Sequence, residues 1–221
     1  MNREPHYECS AWGQDHFKTF DGHIYKFDGG TCEYILMRND DVVVTVANKR
    51  CENTFDMYMC KEVKINLLKQ KYVVTLFQTN YTVKNTVTQE TEIDSAYDDP
   101  CADIVRGVML QYKGVFVIVN LHAYKFEIKY DKGSRVNIKA HDEHMTAVGS
   151  LRGLCGDFDG RTSEDDFVLP DNSTTKSVTE FANKWTATTG CINADITDAC
   201  GKNPDLKEWA QKGMNFVKMI L

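Results

Sequence analysis

The residues with the most evident chemistry sit in one stretch, Gly153-Leu-Cys155-Gly-Asp157-Phe-Asp159-Gly160-Arg-Thr-Ser-Glu164-Asp165-Asp166-Phe167. Five carboxylates fall within the ten residues from Asp157 to Asp166, punctuated by glycines. Carboxylates this crowded repel one another, and a hard cation that takes oxygen ligands relieves the repulsion. Calcium is the expected ion. Laid on an EF-hand loop, Asp157, Asp159, Gly160 and Asp166 fill the third, fifth, sixth and twelfth positions, but Cys155 falls at the first and no flanking helices are predicted, so the loop is not an EF-hand. A loop of another kind can take a ligand from elsewhere, and Asp21, in Thr19-Phe-Asp21-Gly22, lies on a turn of the right character. The plainer alternative is a solvated acidic turn.

Other candidate chemistry is thinner. His141-Asp-Glu-His144 could suggest a metal pair, but strands splay alternate side chains and a solvated turn is the better reading. His16 and His23 have no serine or cysteine nucleophile with a recognisable elbow beside them, and the neighbours Asp165 and Asp166 suit ligation better than acid-base work. Eight cysteines with no CxxC pair read as disulfides rather than zinc ligands or a redox dithiol, which places the chain in an oxidising, extracellular setting. Sequons at Asn80-Tyr-Thr82 and Asn172-Ser-Thr174 are candidate glycosylation sites in keeping with that setting.

The elements that must hold these residues are strands. From Asp41 to about Lys139 the pattern has period two: Tyr124-Lys-Phe-Glu-Ile-Lys-Tyr130, Val63-Lys-Ile-Asn-Leu67 and Arg135-Val-Asn-Ile-Lys139 alternate apolar and polar, as strands with one wet face do. Short connections at Lys69-Gln70, Lys113-Gly114 and Asp131-Lys132-Gly133 make neighbours antiparallel. Val42 to Val46 and Val115 to Val119 are nearly unbroken β-branched runs, expected of strands covered on both faces, so two packed sheets are predicted: an all-β, antiparallel two-sheet β-sandwich. Helical signal is confined to the end, in a short turn over Thr179 to Trp185 and a tail helix from Leu206 to about Ile220 behind the Asn203-Pro204-Asp205 cap. The polar stretch Thr186 to Gly190 is the expected boundary between a domain over 1–190 and the start of a truncated helical module over 191–221. A net charge of −6 and pI near 5.5 argue against nucleic acid, and a longest apolar run of five residues, Val115 to Val119, predicts no membrane span. The start, Met1 to Pro5, has no apolar h-region, as if a leader were absent or removed.

Two blocks of residues carry a family resemblance. Cys9-Ser-Ala-Trp12-Gly-Gln-Asp-His16-Phe-Lys-Thr19-Phe-Asp-Gly22, followed by Tyr25-Lys-Phe27 and Gly30-Thr-Cys32-Glu-Tyr34, is similar to the opening of a von Willebrand factor type D domain. Gly153 to Gly160, Asp165-Asp-Phe167 and Phe181-Ala-Asn-Lys-Trp185 resemble its closing signature, so the likeness covers residues 9 to 191. The resemblance implies a calcium-binding β-sandwich of secreted proteins such as clotting factors, gel-forming mucins, yolk lipoproteins and inner-ear matrix proteins. It implies calcium ligation by Asp21, Asp157, Asp165 and Asp166, with a main-chain oxygen near Asp159. It also implies the disulfides Cys9 to Cys155, Cys32 to Cys191 and Cys51 to Cys60, leaving Cys101 and Cys200 unassigned, and a cysteine-rich module starting at residue 191.

Three departures limit the transfer. Where some members self-cleave at Gly-Asp-Pro-His, this chain has Gly13-Gln14-Asp15-His16 without the proline, so autoproteolysis is not expected. Where some members carry a Cys-Gly-Leu-Cys dithiol linked to multimer assembly, this chain has Arg152-Gly-Leu-Cys155. Where many have asparagine after the Cys-Gly pair, this one has Asp157, which adds charge for a cation. The expected function is a non-enzymatic calcium-binding module of a larger secreted adhesive, clotting or gel-forming protein, mediating assembly or protein binding. Its partners would be other extracellular proteins or neighbouring modules of the same chain, with a homo-oligomer of the full-length protein left open. The alternatives are the type D domain of a yolk or clotting lipoprotein, or a domain of a secreted, luciferase-like oxidase.

Overall fold

The computed structural model describes residues 7–52, 59–141, 151–160 and 167–188. Among the described residues, fourteen strands form two sheets in which every neighbouring pair is antiparallel. The first sheet contains β1 (Glu8–Trp12), β2 (His16–Lys18), β3 (Ile24–Lys26), β10 (Cys101–Val105), β11 (Val108–Lys113), β12 (Phe116–Leu121), β13 (Phe126–Tyr130) and β14 (Val136–Ala140), in the order β10-β11-β12-β13-β14-β1-β2-β3. The second is an uninterrupted meander of β4 (Glu33–Arg38), β5 (Val42–Arg50), β6 (Met59–Leu67), β7 (Tyr72–Leu76), β8 (Asn80–Asn85) and β9 (Thr91–Ala96). The expected antiparallel β-sandwich is therefore the observed fold.

Alternation decides which side chains meet. Phe126, Ile128 and Tyr130 on β13, Val136 and Ile138 on β14, and Val63, Ile65 and Leu67 on β6 are almost wholly buried, and with their counterparts they make one core spanning both sheets. Removing this much apolar surface from water is the main favourable contribution to folding. The Val42–Val46 run behaves as expected, with Val42, Val44, Thr45 and Val46 all buried. Val115 to Val119 does not. Val115 is 61% exposed in a turn, and β12 alternates buried Val117 and Val119 with half-buried Phe116 and Ile118, the Phe116 ring lying 3.9 Å from the Lys129 ammonium. A lysine stem and its cation–π contact cover that face in place of a second layer.

Strands also begin earlier than the alternation suggests. β1 pairs with β14 in the register Cys9 with Ile138 and Ala11 with Val136, which closes the first sheet through the start of the domain. β4 is the edge of the second sheet, and two later segments cover it. Leu154 and Cys155 donate main-chain hydrogen bonds to the carbonyls of Ile35 (3.0 Å) and Leu36 (2.8 Å), and Ile35 donates to Trp185 (2.8 Å). A bulge between Ile35 and Met37 lets consecutive Leu36 and Met37 both face inward. Covering the edge in this way removes a template for unwanted strand pairing.

The short C-terminal helix is α1 (Val178–Lys184), capped by the Ser177 hydroxyl, which accepts from the Glu180 N–H at 3.2 Å. It buries Phe181 and Ala182, and the following Trp185 donates its indole N–H to the Val168 carbonyl at 3.0 Å. No described helix is long and apolar enough to cross a membrane. The expected tail helix over Leu206 to Ile220 and the module over 191–221 lie outside the described residues.

Candidate metal centre

Asp21 lies in the turn between the short strands β2 and β3. The turn is tight: Thr19 N–H donates to the His23 carbonyl (2.9 Å), Gly22 N–H to the Thr19 carbonyl (3.1 Å) and His23 N–H to the Thr19 hydroxyl (3.1 Å). It is fastened to the acidic loop at Phe20 and at Asp21 itself. Phe20 N–H donates to the Cys155 carbonyl at 3.0 Å, and the Asp21 Oδ1 accepts from the Gly160 N–H at 2.8 Å. A disulfide between Cys9 on β1 and Cys155 pins the loop a second time.

The result is a convergence of charge. One carboxylate oxygen each of Asp21, Asp157 and Asp159 lies within 4.8 Å of the others. Burial raises the Asp21 carboxyl above its ordinary value; the Gly160 N–H pulls it back, and the charges of Asp159 and Asp157 push it further up. Three oxygens at this spacing, with the nearby Cys155 sulfur committed to a disulfide, make an all-oxygen donor set that fits calcium rather than a metal seeking nitrogen or sulfur. The side chain of Asp159, one of the expected metal residues, belongs to this group, beside the main-chain oxygen expected near it. Asp165 and Asp166 lie outside the described residues.

The remaining expected sites divide in the same way. Cys51 and Cys60 are joined across the start of β6. Cys32 is disulfide-bonded as well, and Cys191, the partner the resemblance gives it, lies outside the described residues. Cys101 on the edge strand β10 is an exposed free thiol. Asn80 is half-buried at the start of β8 and donates its amide to Asp94 at 2.9 Å, whereas Asn172 sits in an exposed turn at φ +66 and accepts from Arg152 at 3.0 Å. His16 stacks on Trp12 and pairs with Asp15 at 2.6 Å, and His23 packs on Phe167 at 5.1 Å. His141 is exposed, while Asp142 to His144 lie outside the described residues.

Sequence reasoning missed one buried charge. Lys61 is 3% exposed, donates to Asn48 Oδ1 at 2.9 Å, and sits opposite Asn48 in the β5–β6 register. Burial pushes its ammonium down to about 8, partly offset by the carboxylates of Asp15 and Asp131. The signal was its phase: Lys61 shares parity with Val63, Ile65 and Leu67, so it points inward.

A disulfide-stapled, antiparallel two-sheet sandwich whose first hairpin meets a late carboxylate loop defines the class of this β-domain. The family model of the von Willebrand factor type D domain matches residues 9–173, and the chain belongs to that family. It is 30% identical over 213 residues to human Mucin-5B, a match covering 92% of this chain and 3% of the mucin. It is 28% identical to chicken SCO-spondin over 216 residues, covering 96% of this chain and 4% of that protein. Identity to hemocytin of Bombyx mori is also 28%, over 222 residues, 95% of this chain and 6% of hemocytin. The chain thus spans only a few per cent of the length of these curated relatives.

Proposed function

We propose that this chain is a non-enzymatic, calcium-binding extracellular module of a larger secreted protein of the adhesive, clotting or gel-forming kind, and that it serves assembly and protein binding. The observation that carries the reading is the meeting of Asp21, from the β2–β3 turn, with Asp157 and Asp159 on a loop held by the Cys9–Cys155 disulfide. Asp165 and Asp166 complete the proposed ligand set, since calcium takes six to eight oxygens and three carboxylates leave room for more. Family membership and the likeness to mucins, SCO-spondin and hemocytin support an assembly role over that of a yolk lipoprotein or oxidase. The disulfides support secretion, because such bonds persist in oxidising compartments. Partners on this reading are neighbouring modules and other extracellular proteins, and residues 191–221 begin a cysteine-rich module that follows the type D domain.

The ion would neutralise the carboxylates and tie the β2–β3 turn to the loop after Cys155. The chain's own residues do the rest: the Gly160 N–H orients Asp21, and the main-chain bond from Phe20 to Cys155 fixes the spacing between the two segments. Crystals grown in calcium test the reading. One ion at roughly 2.3–2.6 Å from carboxylate oxygens of Asp21 and the loop is expected; an ordered loop without an ion would overturn it.

A further inference from the structure

Between the two loop carboxylates sits a residue in a conformation it rarely adopts. Phe158 has φ +57, in the left-handed region where a bulky side chain is an outlier. Its neighbours Gly156 and Gly160 also have positive φ, +79 and +85, but glycine adopts it without steric cost. Backbone strain of this kind persists only where the surroundings over-determine it. Here the ring supplies that determination. Phe158 is 1% exposed, lies edge-on to Tyr7 with centroids 4.6 Å apart, and packs on Phe20 at 5.2 Å. It is the one apolar side chain between Gly156 and Gly160. Phe20 immediately precedes Asp21, so a single ring contact joins the residue beside the first carboxylate to the residue between the other two.

We propose that Phe158 is a positioning residue for the cation: wedged between Phe20 and Tyr7, its ring holds the Asp157 and Asp159 carboxylates facing Asp21 before the ion arrives. The inference rests on the calcium reading above and adds that affinity depends on a side chain that is not itself a ligand. Holding ligands in place beforehand spares the ion the cost of ordering the loop. Outer-shell partners that orient metal ligands are worth about 10- to 100-fold in affinity.

A ring that served only as core packing would behave differently, because its loss would lower stability equally with and without the ion. The test compares the full chain with Phe158→Ala, Phe158→Leu and a packing control, Phe126→Leu, whose ring is buried on β13. Calcium Kd is measured by calorimetry, and Tm in calcium and in chelator. Phe158→Ala is expected to weaken calcium binding by about 10- to 100-fold, with a smaller loss for Phe158→Leu and a calcium-induced rise in Tm that shrinks in the same order. Phe126→Leu should lower Tm equally in both buffers at unchanged Kd. Wild-type Kd in both Phe158 variants, with Tm lowered equally in the two buffers, would overturn the inference while leaving the calcium site intact. If Phe158→Ala does not fold, Phe158→Leu decides by the same comparison. A wild-type chain that takes up no calcium would remove the calcium reading itself, and this inference with it.

Discussion

A Cβ added at Gly153 would sit 2.6 Å from the Leu36 carbonyl oxygen, and the residue's φ of +123 is one that L side chains rarely adopt. The contact is with backbone, which cannot swing aside. Gly153 is where the segment before the acidic loop crosses the β4 edge, so its lack of a side chain lets Leu154 and Cys155 reach the carbonyls of Ile35 and Leu36. Gly153→Ala is accordingly expected to destabilise the fold by at least ~2 kcal/mol, combining left-handed strain with a backbone clash. For a domain of this size that is a fall in Tm of roughly 4–8 °C; thermal unfolding checks it, and an unchanged Tm would show that the edge can move. Asp21 raises a question of ligation, because its carboxylate is the one in the cluster that comes from a separate hairpin. Asp21→Asn keeps the shape and an acceptor oxygen for the Gly160 N–H but removes a charge. It should cost at least the roughly 10- to 100-fold in calcium affinity that outer-shell groups are worth, while leaving the chelator-buffer Tm nearly unchanged.

Strand β6 carries Lys61, whose main chain binds across the sandwich while its side chain bonds the neighbouring strand β5 of the same sheet. Its N–H donates to the Gly133 carbonyl at 2.8 Å, its carbonyl accepts from the Tyr130 hydroxyl, and its ammonium holds Asn48, whose amide in turn donates to the carbonyls of Gln14 (3.0 Å) and Gly30 (3.1 Å). Because burial lowers the folded-state value to about 8 from 10.5, the folded chain gives up this proton at a pH where the unfolded chain keeps it. Stability from this group therefore rises as pH climbs through the window from about 8 to 10.5, and is flat below it. Urea unfolding at about pH 7.5 and 9.5 should show the wild type gaining about 2 kcal/mol relative to Lys61→Met over that interval; parallel pH profiles would contradict it. The two described disulfides differ in the loops they close, with sequence separations of 146 and 9. Chain-entropy reasoning gives roughly 5 kcal/mol for the pairing of Cys9 with Cys155 and about half that for Cys51 with Cys60. Double serine variants of each pair, compared by denaturant unfolding, should rank in that order.

Across the whole molecule, what was legible in the sequence follows strand length. β6, β13 and β14 run long enough for alternation to show, and short connections fix their antiparallel order. β2 and β3 have three residues each, too few for any period, so the strands that flank Asp21 were not legible, although Asp21 itself was, from the turn residues Thr19 to Gly22. The carboxylates themselves were legible because charge density needs no structure to be noticed. Phe158 was not, because nothing local marks a phenylalanine for positive φ; only its packing against Tyr7 and Phe20 forces it. Lys61 was overlooked for the opposite reason, as a charged residue in an inward phase where composition points to the surface. These features come together in a sandwich whose first hairpin and last loop are fastened by a disulfide and, on this account, by an ion. Calorimetric titration of the intact chain with calcium, after chelation and dialysis, tests that most directly: one ion per chain with affinity lost in Asp21→Asn is the expected result, and no heat of binding from a correctly disulfide-bonded wild type would contradict the account.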